Sequence, residues 1–128
     1  MHFDLVTPAH LFYEGEIDYA QIPLHDGLMG ILPGHSPLVA LLGFGLCTVR
    51  KDGQEKLFVI DGGFVEVQPN RLTMLANHAE ELIDVDRKQA EVALATALQE
   101  QPVGDVAIQN RMERIAAART RMKYAHLD

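Results

Sequence analysis

Along the first eighty residues, apolar positions come in short runs broken by turn residues; after Leu82 they recur at a helical period. Met1 to Thr7 alternate apolar and polar, the period-2 pattern of a strand with one buried face. Three Asp-Gly steps, Asp26-Gly27, Asp52-Gly53 and Asp61-Gly62, offer the positive φ that tight turns demand. Arg50 to Glu55 predicts a hairpin between Leu46–Arg50 and Lys56–Ile60. Gln68-Pro69-Asn70-Arg71 predicts a second turn, between Gly63–Val67 and Leu72–Ala76. Pro8, Pro23, Pro33 and Pro37 argue against any long helix in this region. Many short strands at such spacings predict antiparallel sheets packed as a sandwich or barrel.

The second pattern is alanine-rich. Asp84 is the expected N-cap of a helix reaching Glu100, with Ala90, Ala93, Leu94, Ala97 and Leu98 on one stripe. Pro102 and Gly104 break it, and Asp105 is expected to cap a second helix ending near Tyr124. On that helix Ile108, Met112, Ile115 and Met122 share a face. Two helices joined by so short a connection return antiparallel. The fold class is therefore mainly β plus α: an N-terminal antiparallel β-sandwich over residues 1–82 and a C-terminal helical hairpin over 83–128. Alanine buries little area, so at about 25 cal/mol per Å² the hairpin is weakly held and a candidate for docking and undocking.

Composition narrows the chemistry. Hydrophobic residues make up 48% and charged residues 23%, an ordinary globular mix that excludes wholesale disorder. The net charge is −7, so nucleic acid is not an expected partner. Residues 1–80 carry four basic against ten acidic residues, residues 81–128 seven against eight. No apolar run reaches the roughly 20 residues of a membrane span, and no secretory signal opens the chain, which reads as a mature cytosolic product. Cys47 is the only cysteine, so no intrachain disulfide or thiolate zinc cage is expected. Ser36, the only serine, lies outside any Gly-x-Ser-x-Gly elbow. His2, His10, His25, His35, His78 and His126 show no ligand spacing. No catalytic site and no metal site is expected.

Two segments carry more information than any catalytic motif: Gly30-Ile31-Leu32-Pro33-Gly34-His35-Ser36-Pro37-Leu38, and Asp61-Gly62-Gly63-Phe64-Val65-Glu66-Val67-Gln68-Pro69-Asn70-Arg71 continuing to Ala76. In this order and at this distance they resemble the epsilon subunit of the F-type rotary ATP synthase. The opening Phe3-Asp4-Leu5-Val6-Thr7-Pro8 and the alanine-rich tail fit the same family, so the resemblance covers nearly the whole chain. It implies a sandwich of about ten strands. It also implies a rotor subunit of a proton- or sodium-translocating ATP synthase, with no catalytic site of its own. The sandwich would couple the gamma shaft to the ring of c subunits, and the hairpin would restrain ATP hydrolysis at the alpha and beta subunits. Such a chain would sit peripherally, without membrane insertion, on the cytoplasmic face of the bacterial inner membrane; the stromal face of the plastid thylakoid is the second reading.

By the same resemblance, the ring contact falls on Asp26, Gly27, Leu28, Met29 and His35, with Leu28 where many relatives carry a glutamate. Arg111, Arg114 and Arg121 lie on one helix face with Ala118 between them, an inhibitory basic face for acidic loops of the catalytic subunits or else a solvated one. No cofactor is implied, but some relatives bind ATP as a regulatory ligand on the hairpin. Asp84, Arg87 and Arg121 match that pattern, Lys88 and Ala117 depart from it, and Arg119 would join the three in holding the triphosphate. Arg119 falls within the Ile108–Met122 face, a costly place for an unpaired guanidinium, and an ion pair to Asp84 or Asp86 is the expected alternative to holding a triphosphate. The other reading of the whole chain is a β-sandwich ligand-sensing module with a helical tail, for which gamma would be no partner.

Overall fold

The computed structural model describes residues 1–125, and the chain divides after Glu81 into two compact units. His126 lies outside the described residues. The first unit holds eight strands: β1 (His2–Val6), β2 (Leu11–Glu16), β3 (Tyr19–Leu24), β4 (Gly27–Ile31), β5 (Leu38–Lys51), β6 (Gln54–Gln68), β7 (Arg71–Ala76) and β8 (Ala79–Glu81). Hydrogen bonds join them in the order β2-β1-β7-β6-β5-β3-β4, with β8 also on β6. Pairing is antiparallel except between β1 and β7, which run parallel. No hairpin joins those two strands, so nothing local forces them to oppose.

The predicted Asp52-Gly53 hairpin is present, with both residues at positive φ and Lys51 paired to Gln54. Its arms are far longer than the pattern suggests. Lys56–Ile60 and Gly63–Val67 are one strand, because Asp61-Gly62 does not reverse the chain. It turns a corner instead. Met74 lies level with Val65 and hence with Ala40, seven residues along β5 from Cys47. In a flat sheet seven residues span about 23 Å. Yet Cys47 Sγ and Met74 Sδ are 3.9 Å apart, so the sheet folds over and closes on itself as a sandwich. β5 and β6 each serve in both layers, so eight strands fill the places of about ten.

Two close approaches make the corner. Gly63 has φ +124°, and a Cβ there would lie 2.1 Å from the Leu75 carbonyl oxygen; one on Gly43 would lie 2.6 Å from that of Leu24. The ladder continues around the bend, with Asn77 N–H donating to Gly62 (3.0 Å) and Asp61 N–H to His78 (2.9 Å). Folding over brings Phe3, Ile22, Phe58, Ile60, Leu72 and Met74 into one core, each fully shielded from water.

The second unit opens with a 3₁₀ turn at Leu82–Asp84, followed by α1 (Arg87–Gln99) and α2 (Asp105–Tyr124). The expected cap at Asp84 is displaced. Val85 N–H bonds back to Leu82, so the first free helical amides come later and Asp86 caps α1 by accepting from Gln89 N–H at 3.2 Å. Asp105 likewise lies inside the first turn of α2, and Gly104 is the residue that precedes it.

Gly63→Ala is expected to destabilise the chain by about 3 kcal/mol or more, read from urea unfolding, because backbone and not a side chain occupies the space. Burial pushes the Cys47 thiol up to about 12. Cys47 is therefore expected to be inert to a disulfide reagent at pH 8 until the chain unfolds. Its contribution to stability is full below the pKa of a free thiol, about 8.5, and is lost as pH rises from there toward the folded value.

Candidate functional site

Strand alternation puts Leu5, Met74, Val65 and Ala40 toward the core and their neighbours outward. One outward row crosses five strands at a single level: Leu11, Val6, Leu75, Phe64 and Leu41. At about 4.8 Å between strands the row is about 19 Å long. Leu11, Leu75, Phe64 and Leu41 are 57%, 53%, 56% and 48% exposed, and Val39 extends the patch along β5 at 69%. Scattered exposed apolar residues are ordinary; a contiguous row across a layer marks a contact surface. The row was readable in one place only. Leu38–Leu42 is apolar at both parities, which a strand with one solvated face does not need.

Below this row the same face turns polar. Asp4 accepts from Arg71 Nη2 at 2.6 Å and lies 2.9 Å from His2 Nε2. The Met1 ammonium donates to Glu16 at 3.0 Å, and that hydrogen bond holds the Glu16 carboxyl below the usual carboxylate range. Among the described residues no group of three or more His, Cys, Asp or Glu side chains is placed to hold a metal ion. Among the described residues no helix is long and apolar enough to cross a membrane.

The residues expected at a ring contact do not form one cluster. Asp26, Gly27 and Leu28 lie at the start of β4, whereas His35 N–H folds back onto the Leu32 carbonyl at its far end (3.2 Å). The length of β4, about 13 Å, separates them. Met29 points inward and packs on the core, so the outward apolar groups of this edge strand are Leu28 and Leu32, 59% and 60% exposed. Between them Gly30 leaves room for Tyr19, whose hydroxyl would lie 2.8 Å from a Cβ there, and Arg50 stacks over that ring at 5.2 Å.

On the hairpin, the face that meets α1 carries Arg111 and Arg114. Arg111 Nε donates to the Ala97 carbonyl at 2.8 Å and its Nη2 to Leu98 at 3.4 Å; Arg114 pairs with Glu100. Ala118, one turn on, is buried. Arg121 donates to the Ala117 carbonyl of its own helix at 3.1 Å. The expected inner stripe is instead open at its start, with Ile108 and Met112 44% and 57% exposed. Arg119 is therefore exposed on that rotated face and makes no ion pair with Asp84 or Asp86 among the described residues. Arg87 takes the cross-helix contact, donating to the Met122 carbonyl at 2.9 Å while pairing with Glu91 at 3.1 Å. Of the four residues of the ATP-site reading, Arg87 is thus engaged across the hairpin and Arg119 is exposed.

Residues 1–82 match the family model described as the ATP synthase delta/epsilon chain β-sandwich domain. The ATP synthase epsilon chain of Rhodopseudomonas palustris is 40% identical over 107 residues, covering 82% of this chain and 79% of that one. That of Leptospira interrogans serovar Lai is 34% identical over 116 residues, covering 89% and 91%. In fold, the chain is similar to one in the cryo-EM structure of the Euglena gracilis mitochondrial ATP synthase, OSCP/F1/c-ring, with a TM-score of 0.80 at 22% identity over 98% of this chain and 80% of that one.

The alternation assigns opposite costs to neighbouring residues. Phe64→Thr is expected to change unfolding free energy by no more than about 0.5 kcal/mol. Val65→Ala, one residue on, is expected to cost about 2 kcal/mol, and urea melts of the two variants check the assignment.

Proposed function

The chain belongs to the epsilon-chain family of ATP synthases, and on that premise we propose that it is a central-stalk subunit coupling the gamma shaft to the c ring and restraining ATP hydrolysis through its C-terminal helices. The observation that carries this reading is the outward row from Leu11 to Leu41, an apolar surface as broad as a whole layer. A long rigid shaft is a suitable cover for such a row, and we assign it to gamma. Burying these side chains removes large apolar area from water, which is the main source of affinity in a lasting contact. A ligand-sensing module would instead want a concave pocket.

The ring contact is assigned to Asp26, Gly27 and Leu28, joined along the β4 edge by Leu32; His35 belongs to the opposite end of the same surface. The acidic group that many relatives are expected to place at position 28 would come from Asp26. The hairpin supplies restraint through Arg111, Arg114 and Arg121, facing acidic segments of the alpha and beta subunits. ATP held by Asp84, Arg87, Arg119 and Arg121 is disfavoured, because Arg87 is already engaged by the Met122 carbonyl and the Glu91 carboxylate. The chain's working place is peripheral, on the cytoplasmic face of the bacterial inner membrane.

Removing residues 83–128 from the assembled enzyme is expected to raise ATP hydrolysis while leaving synthesis coupled. Unchanged hydrolysis would remove the restraining role. Phe64→Glu with Leu75→Glu is expected to abolish co-purification with gamma while the thermal transition stays cooperative; retained co-purification would move the gamma contact elsewhere.

A further inference from the structure

The ladder order leaves two strands with a free side, β2 and β4, and they differ in what guards them. β2 carries Glu14 and Glu16, and its pairing with β1 shifts register between Leu5 and Val6. Charge and an irregular ladder both discourage another strand from adding there. β4 has neither. Gly27-Leu28-Met29-Gly30-Ile31 holds no charged residue, and its register with β3 runs unbroken from Leu24–Gly27 to Ala20–Ile31. Leu24 and Gly27 flank a two-residue turn, so by the alternation of an antiparallel ladder Gly27, Met29 and Ile31 bond to β3. His25 N–H, next along the chain, bonds instead to Leu41 of β5 (3.0 Å), as that alternation requires. The amides and carbonyls of Leu28 and Gly30 therefore face away from the sheet, along its open edge.

About Gly30 this edge is chemically palindromic. Leu28 and Leu32 stand outward on either side, 59% and 60% exposed, and Met29 and Ile31 stand inward between them. We propose that the free chain pairs with a second copy of itself through β4, antiparallel and two-fold about Gly30, so that one sheet runs through both copies. Leu28 of each copy then lies against Leu32 of the other on the outer face, where opposite residues of neighbouring strands touch. Slipping the register by two residues sets Leu28 against Gly30, above which the Tyr19 hydroxyl already stands. Pro33 has no N–H to donate and ends the pairing on both sides. A contact one strand long, about 17 Å, lies at the small end of protein interfaces, so the copies pair at high concentration and part readily. The pairing covers the edge assigned above to the ring of c subunits, and a paired chain is thereby held out of assembly. That consequence rests on the proposed function; the pairing itself does not.

The test uses the full chain alone. Sedimentation over a range of concentrations is expected to show monomer and dimer in exchange. Leu28→Glu, which puts a charge on the open edge at an exposed position, is expected to weaken the dimer at least about tenfold, as is Leu32→Glu. Mixing Leu28→Glu with Leu32→Lys is expected to restore association, because the two new charges lie opposite each other in this register. A short thiol-to-thiol cross-linker is expected to join Leu28→Cys to Leu32→Cys in a mixture and neither variant to itself, since like positions lie about 14 Å apart along the strands. Buried Cys47 stays out of its reach. A chain that remains monomeric at millimolar concentration, association that survives Leu28→Glu but is lost in Phe64→Glu, or cross-linking of each cysteine variant to itself each overturns the pairing. None of these readouts involves the ring of c subunits, so the pairing and the coupling role fail separately.

Discussion

The closed sandwich depends on backbones meeting where a side chain would otherwise stand. At Gly63 the Leu75 carbonyl lies inside the space of a Cβ, and at Gly43 the Leu24 carbonyl does. That permission lets β5 and β6 pass from one layer to the other without losing their pairing, so a single ladder supplies both faces of one core. A flat sheet of these strands would leave Cys47 and Met74 tens of ångströms apart and expose the residues that now shield each other. The same continuity fixes which parity faces out. With Val65 and Met74 committed to the core, Phe64 and Leu75 have nowhere to go but the surface.

An outward row of that breadth is out of place on a chain that works alone, whereas the hairpin is built by a different rule. The residues it buries are largely small, and its ends are held by arginines on carbonyls and by Arg114 with Glu100. Apolar burial is insensitive to salt and hard to reverse; exposed charge contacts weaken within a Debye length of about 8 Å at physiological ionic strength. A lasting contact and a switchable one are thus assigned to separate units of the chain by the kind of side chain each offers.

Much of this was legible from residues alone. The Asp52-Gly53 turn and the Asp105 to Tyr124 helix follow from local chemistry, and the structure has them. The resemblance to the epsilon family rested on the Gly30–Leu38 and Asp61–Ala76 segments, and the family match covers both. What escaped was set by tertiary choice. Asp61-Gly62 has the composition of a reversal but stands where two strands bend together. Asp84 and Asp86 are both plausible caps, and only the 3₁₀ turn decides between them. On α2 the Ile108 stripe is the greasier face, yet Ile108 and Met112 are exposed and Arg111 is the residue that reaches the end of α1. Met29 and Leu28 differ only in parity, which no single sequence reveals on an edge strand.

The central claim is that the outward row of the sandwich is the seat of the rotor shaft. A photoreactive phenylalanine analogue at position 64 in the assembled ATP synthase tests it in one step, since that side chain is exposed at the middle of the row. The account predicts a covalent adduct between this chain and gamma. An adduct with a c subunit, an adduct confined to the chain's own helices, or no adduct at all would contradict it.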